Sequence, residues 1–437
     1  MYEKGYAKIE KRLFYLMLIF SCLAYIGYYI YAKRSGINLL ISYSRSDQAM
    51  MQVTNLFVLF FRFGKDVCAA LLLSTEMLSM NRSYRAKIFL EMVLIIAYGT
   101  IIAWANSQSI NTIVSGYRMV MYFAALIMFF NAKYLSGISL KKFLNVLTAL
   151  LSINTLVAAI QAYDKLGFHL NLIGQGSYRF MGFFPAAAAF AYFCLGTALF
   201  AYCIDSKTNL YHKRCIAIYI IAFVGCYLSG TRSSMINLLI VFFVYIISQA
   251  RMKKEHKILL SVLLAPPAML YILQFSTSIA KRGSILGNAL GGGRFTIFFS
   301  TIFKQPVTNI LFGNGIGAGS NSAAVFMEQL GSSGRLFLDG TFTTVFYQFG
   351  VLGFLGCLAF IWISAKLIYR RNGFFSAALF AGTIVLQCLT TNILEAYALL
   401  IMLFVSYYTL TKGDRLFAEL RGKWIGREEI IKGSDVL

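Results

Sequence analysis

Four arginines stand beside glycine or serine at the edges of apolar runs: Arg179 in QGSYRFMGFFP, Arg232 in LSGTRSS, Arg294 in GGGRF and Arg335 in GSSGRLFLDG. A guanidinium is a rigid fork of donors that matches phosphate oxygens two at a time, and it stays charged at any physiological pH. Several converging forks would hold a pyrophosphate at a lipid interface. Lys281 and Arg282 add charge to the stretch that holds Arg294 and Arg335, while Tyr178, Ser229, Thr231 and Ser233 put hydroxyls beside Arg179 and Arg232. A helix broken near Arg232 would turn free N–H groups on the same anion. The plainer reading of one such arginine is a side chain stretching from a helix end to the headgroups. That reading needs no broken backbone, so four arginines beside breaks favour a shared site.

Carboxylates are scarce in the same regions. Asp339, in FLDGTFTTVFYQFGVLGFLG, opens an apolar run and Glu395, in TTNILEAYALL, opens another. Either could take a proton from a hydroxyl or orient the arginines; geometry has to decide before pKa. Glu328 reads as an ordinary loop charge. Arg62, Lys65 and Asp66, in FFRFGKDVCAA, share one helical face inside an apolar run. Charges at that depth pair with one another, and an Arg62–Asp66 pair is the expectation.

Other chemistries are poorly served. The eight cysteines lie in or beside apolar runs without a C-x-x-C, and the three histidines are scattered, so neither disulfides nor a metal site is expected. GNGIGAG (Gly313–Gly319) lacks the strand that precedes a nucleotide loop and reads as a flexible or sharply turning loop. GGGR (Gly291–Arg294) lacks the Gly-Lys-Ser/Thr ending of a phosphate loop.

The elements that must position these groups are helices in a membrane. Of the 437 residues, 59% are hydrophobic and 13% charged, and the mean hydropathy is +0.69. Such a composition lies outside the range of soluble domains. Irregular backbone cannot face lipid, so each long apolar run should be a helix. The expectation is an all-α polytopic membrane protein of about twelve spans, near 13–32, 52–78, 88–105, 118–135, 143–162, 183–203, 215–230, 234–250, 258–275, 342–366, 374–391 and 394–411. The first run lacks a cleavage site and reads as a retained span rather than a signal peptide.

Lysine and arginine accumulate in cytoplasmic loops. With both termini inside, 26 of the 40 Lys and Arg fall on the cytoplasmic side and 12 outside. The net charge of +23 then reflects orientation and attraction to anionic lipid, with no nucleic acid implied. Residues 276–340 form the one large external loop, between the ninth and tenth spans. Within it, FTIFFSTIFKQPVTNILFG should give one or two short interfacial helices broken at Pro306. Residues 412–437 make a basic cytoplasmic tail. The sequence shows no internal repeat.

Taken in order, SYRFMGFFPAAAAFAYF, LSGTRSS, a span, GGGRF, NILFGNGIGAG and LDGTFTTVFYQFGVLGFLG resemble the bacterial O-antigen polymerase and O-antigen ligase superfamily. The likeness runs from about Cys215 to Gly356, with SYRFMGFFPAAAAFAYF upstream looking like that family's arginine before a span; the rest resembles it in topology alone. It implies a membrane glycosyltransferase of the bacterial cytoplasmic membrane, its site facing outward, working without metal or cofactor on undecaprenyl-pyrophosphate-linked oligosaccharides. Arg179, Arg232 and Arg294 would hold the pyrophosphate, and chain-length regulator and flippase proteins would be partners. Ligases of this superfamily carry a histidine where this sequence has Asp339, which favours polymerase over ligase. A lipid-linked oligosaccharide flippase or other exporter is the alternative from another class, and it should spread its charges along a central cavity.

Overall fold

The computed structural model describes residues 2–34, 55–79, 82–131, 138–163, 168–170, 177–208, 211–248, 299, 304–320, 338 and 340–417. Helices account for most of them: α1 (Tyr2–Cys22), α2 (Ile26–Arg34), α3 (Leu56–Ser79), α4 (Arg82–Ala105), α5 (Ile110–Asn131), α6 (Leu140–Tyr163), α7 (Ala187–Thr208), α8 (His212–Ser229), α9 (Arg232–Ser248), α10 (Val307–Phe312), α11 (Thr341–Asn372), α12 (Phe374–Thr390) and α13 (Tyr397–Leu416). Six of these, α4 to α8 and α11, contain stretches long and apolar enough to cross a membrane, and α9 and α12 are shorter apolar helices.

Eleven of the twelve expected stretches are helical, and 258–275 lies outside the described residues. The first is two helices, α1 and α2, separated at residues 23–25. The fourth begins at Ile110 rather than 118, which places Arg118 well inside α5. The segment between α6 and α7 carries an antiparallel ribbon of β1 (Phe168–Leu170) and β2 (Ser177–Arg179).

Helix α7 is the axis of the bundle. It packs against α8, α9 and α13, while α1 packs on α3, α3 on α5, α6 on α8, and α9 on α12. Its sequence AAAFAYFCLGTALFAYC mixes small residues that admit close neighbours with aromatics that fill what is left. Phe190, Phe193, Phe200 and Tyr202 are fully enclosed. A methyl on Gly196 would stand 2.7 Å from Cβ of Met402 in α13. All eight cysteines are free thiols, seven of them buried, in keeping with a packing role.

GNGIGAG is a buried turn rather than a flexible one. Gly313, Gly315, Gly317 and Gly319 all have positive φ, a region costly for any residue with a Cβ, and the backbone threads between α4, α5 and α11. Ile316 N donates to Gly99 O (3.0 Å), Asn314 N to Tyr347 O (2.8 Å) and Gly315 N to Gln348 O (3.0 Å). The side chain of Gln348 returns a bond to Ala318 O (3.1 Å). Helix α11 breaks to receive this turn: Gly350 has φ 64 and ψ −158, and a Cβ there would lie 2.2 Å from Leu311 O. These bonds satisfy backbone groups that burial would otherwise leave unpaired. Beyond the turn, a Cβ on Gly319 would stand 2.6 Å from Cδ1 of Leu338, so the chain on either side of 321–337 comes together. Helix α10 follows Pro306, as expected of the short helices in this region.

Candidate functional site

The strongest convergence of predicted residues lies where α8 passes into α9. Helix α8 ends in Ser229, and Gly230 takes the left-handed conformation (φ 62, ψ 20), its N–H returning to Tyr227 O. The hydroxyl of Ser229 donates to Cys226 O (2.7 Å) and accepts from the N–H of Thr231 (3.2 Å). Thr231 O then accepts from Met235 N (3.1 Å) and starts the next helix. Arg232 and Ser233 are its first two residues, both half-buried. The first N–H groups of a helix lack intrahelical partners and carry its positive dipole end.

Arg179 arrives at this turn from β2. A Cβ on Gly230 would lie 3.3 Å from Cγ and 3.7 Å from Nε of Arg179, so the arginine stem packs directly on the turn and would have to give by a few tenths of an ångström for any larger residue. Phe180 N donates to Leu228 O (3.2 Å) and ties the strand to the end of α8. The chain beyond Arg179 is clamped by α6. Gln161 Oε1 accepts from the N–H groups of Met181 and Gly182 (both 3.1 Å), its Nε2 donates to Gly182 O (3.0 Å), and Asn154 Oδ1 accepts from Phe183 N (2.8 Å). The turn thus has the Arg179 stem against Gly230 and Arg232 two residues further along the chain, a pairing of cations suited to a multiply charged anion. Tyr178 lies in the ribbon opposite His169.

At the start of α11, Thr341 is bound to the end of α12. Its N–H and hydroxyl both donate to Thr391 O (2.9 and 2.7 Å), and the hydroxyl accepts from Ile393 N (2.8 Å). Glu395, half-buried in the turn before α13, accepts from Asn392 Nδ2 (3.0 Å). Asp339 lies outside the described residues, as do Arg294, Lys281, Arg282 and Arg335.

Of the nineteen buried side-chain polar atoms without a hydrogen-bond partner among the described residues, eight lie on or beside α9 and the C-terminal end of α12. They are Thr231 Oγ1 just before α9, Ser234 Oγ and both amide atoms of Asn237 on α9, both amide atoms of Gln387 on α12, and Thr391 Oγ1 and Asn392 Oδ1 beyond it. An unpaired buried group costs about 1–3 kcal/mol. These eight atoms keep hydrogen-bonding capacity that the described residues leave unused.

The expected Arg62–Asp66 pair does not form. Asp66 is held by Arg118, two bonds at 2.6 and 2.9 Å, and approached by Lys65 at 3.5 Å; the guanidinium of Arg62 lies over the ring of Phe63. Helix α5 places Arg118 across from Asp66, where its Nε and one terminal nitrogen each reach a different carboxylate oxygen. Lys65 and Arg118 both stand over the ring of Tyr397, at 5.5 and 5.3 Å from its centroid.

Arg118, Tyr397, Asn237 and Gln387 are the residues that sequence reasoning passed over. The signal for the last two was present: each is a lone amide within an apolar run, INLLIVFF and IVLQCL. No protein-family model matches this chain, and no curated protein matches it.

Proposed function

We propose that the chain is a glycosyltransferase that polymerises undecaprenyl-pyrophosphate-linked oligosaccharide repeat units into O-antigen, capsule or exopolysaccharide on the outer face of the bacterial cytoplasmic membrane. In this reading twelve spans cross the membrane with both termini inside, and the α8–α9 turn faces outward. The observation that carries the reading is the stem of Arg179 lying across Gly230 beside Arg232, at the start of a helix.

Arg179, Arg232 and Arg294 hold the pyrophosphate. The acceptor hydroxyl attacks the anomeric carbon from the face opposite the pyrophosphate. The carbon–oxygen bond to phosphate breaks, and the bonding pair leaves on phosphate oxygens that the fixed guanidinium groups stabilise in a water-poor site. The proton of the attacking hydroxyl goes to the Asp339 carboxylate. One displacement inverts the configuration at that carbon. Ser229, Thr231, Ser233, Tyr178, Lys281, Arg282, Arg335 and Glu395 surround the substrate. Ligation of finished glycan to another acceptor uses the same chemistry. An exporter would use the buried charges of Lys65, Asp66 and Arg118, but the two-bond Arg118–Asp66 pair is the geometry of a fixed strut.

The test is purified protein incubated with lipid-linked repeat units, followed by sizing of the product. A polymerase gives a ladder, a ligase a single transfer, and an exporter no new glycosidic bond. Arg232→Ala and Arg294→Ala should each abolish extension while the protein still inserts and folds; normal-length product from both would overturn the reading.

A further inference from the structure

Helices α7, α9 and α12 meet at one point near the ends opposite the arginines. The hydroxyl of Tyr202 in α7 lies 3.5 Å from Oγ of Ser376 in α12, and it also interacts with the side chain of Ser248 in α9. Asn237 is eleven residues before Ser248, and Gln387 is eleven after Ser376. Eleven residues make three turns at ~3.6 residues per turn, a climb of about 16.5 Å on the same helical face. The two helices pack against each other and run in opposite directions, so both amides come to the same level and face the same seam. Counting eleven back from Tyr202 on α7 gives Ala191, whose methyl is a thin third wall.

Asn237 is 1% exposed and Gln387 fully buried, yet none of their four side-chain N and O atoms has a partner among the described residues. Two amides at one level would pair with each other if the seam were built only to close. Above them, towards the arginines, come the unpartnered hydroxyls of Ser234 and Thr391. All of these groups are neutral and both donate and accept, which suits a ligand with many hydroxyls and offers nothing to an isolated ion.

We propose that the α9–α12 seam is a binding site for a neutral hexose, admitted as the helices part, with Asn237 and Gln387 as its specificity-determining residues. That the polyhydroxylated ligand is a sugar rests on the glycosyltransferase reading: a sugar bound there hangs below a pyrophosphate held at Arg179 and Arg232.

The experiment titrates the purified full-length chain with the methyl glycosides of glucose, galactose and N-acetylglucosamine, and separately with inorganic pyrophosphate, using saturation-transfer NMR. At least one glycoside should bind saturably to the wild-type protein. Asn237→Leu and Gln387→Leu should each weaken that binding at least tenfold and leave pyrophosphate binding unchanged. Leucine has nearly the volume of either amide and removes the unpaired atoms, so both variants should melt no lower than wild type. Should one misfold, Asn237→Ser or Gln387→Met takes its place in the same titration. Absence of saturable glycoside binding, or binding that these substitutions leave intact, overturns the proposal. Failure of wild-type protein to bind pyrophosphate, with glycoside binding intact, would sink the glycosyltransferase reading and leave the seam standing.

Discussion

Substituting Gly317 by alanine tests whether the buried turn is as tightly seated as it looks. The added carbon would stand 1.8 Å from Thr112 O and 2.8 Å from its carbonyl carbon, about 1.5 Å inside the ~3.3 Å at which a carbon meets a carbonyl oxygen comfortably. Its φ of +83 adds about 1–2 kcal/mol for any residue with a Cβ. Overpacking of this kind costs about 1–3 kcal/mol, so the loss should come to roughly 2–5 kcal/mol, a large part of a stability of about 5–15 kcal/mol. Gly356 in α11 is the control, because a Cβ there meets nothing within 4 Å. Gly356→Ala should gain up to about 1 kcal/mol from helix propensity alone. The buried free thiols provide the assay: a thiol-reactive fluorophore reports their exposure as detergent-solubilised protein is heated. Gly317→Ala melting with the wild type, or Gly356→Ala falling as far, would refute the packing argument.

Asp66→Asn removes the carboxylate that Arg118 and Lys65 share, and should cost about 3 kcal/mol, the low end for a broken buried pair because the Arg118 side chain is 28% exposed. In a double-mutant cycle read by the same melts, Arg118→Gln should recover part of that loss; strict additivity would show that the pair is not coupled. Gln161→Leu strips three hydrogen bonds from the segment that carries Arg179, and should lower both melting temperature and chain extension from lipid-linked repeats. Full-length product at the wild-type rate would mean the amide does not position that arginine.

The helical architecture was legible because apolar run length is a direct consequence of bilayer thickness, and those runs could be read one at a time. The approach of Arg179 to the turn before Arg232 was partly legible: both arginines lie within three residues of a glycine, and a break invites a close approach. What could not be read was partnership across helices. Asp66 has Arg62 one turn away in sequence, and only the facing of α3 and α5 reveals that Arg118 takes it. Starting the fourth span at 118 hid that arginine at a presumed membrane edge. The glycine loop was legible as one of two alternatives, flexible or sharply turning, and the structure has the second. Alternate glycines signal unusual backbone angles, yet angles alone do not distinguish a mobile surface loop from one whose every turn is dictated by neighbours, as Gly99 and Thr112 dictate here. Lone amides such as Asn237 gave a local signal whose meaning depended on a second amide 150 residues later in the chain.

The contact between Gly319 and Leu338 has an evolutionary implication. Ser320 N donates to Gly317 O and Leu338 O accepts from the hydroxyl of Thr344, so the residues flanking 321–337 are both fixed to the body. Closure entropy grows only with the logarithm of length, about 0.6 kcal/mol for a doubling. Because the two flanks meet, the length of chain between them can change at little cost to the helices beneath.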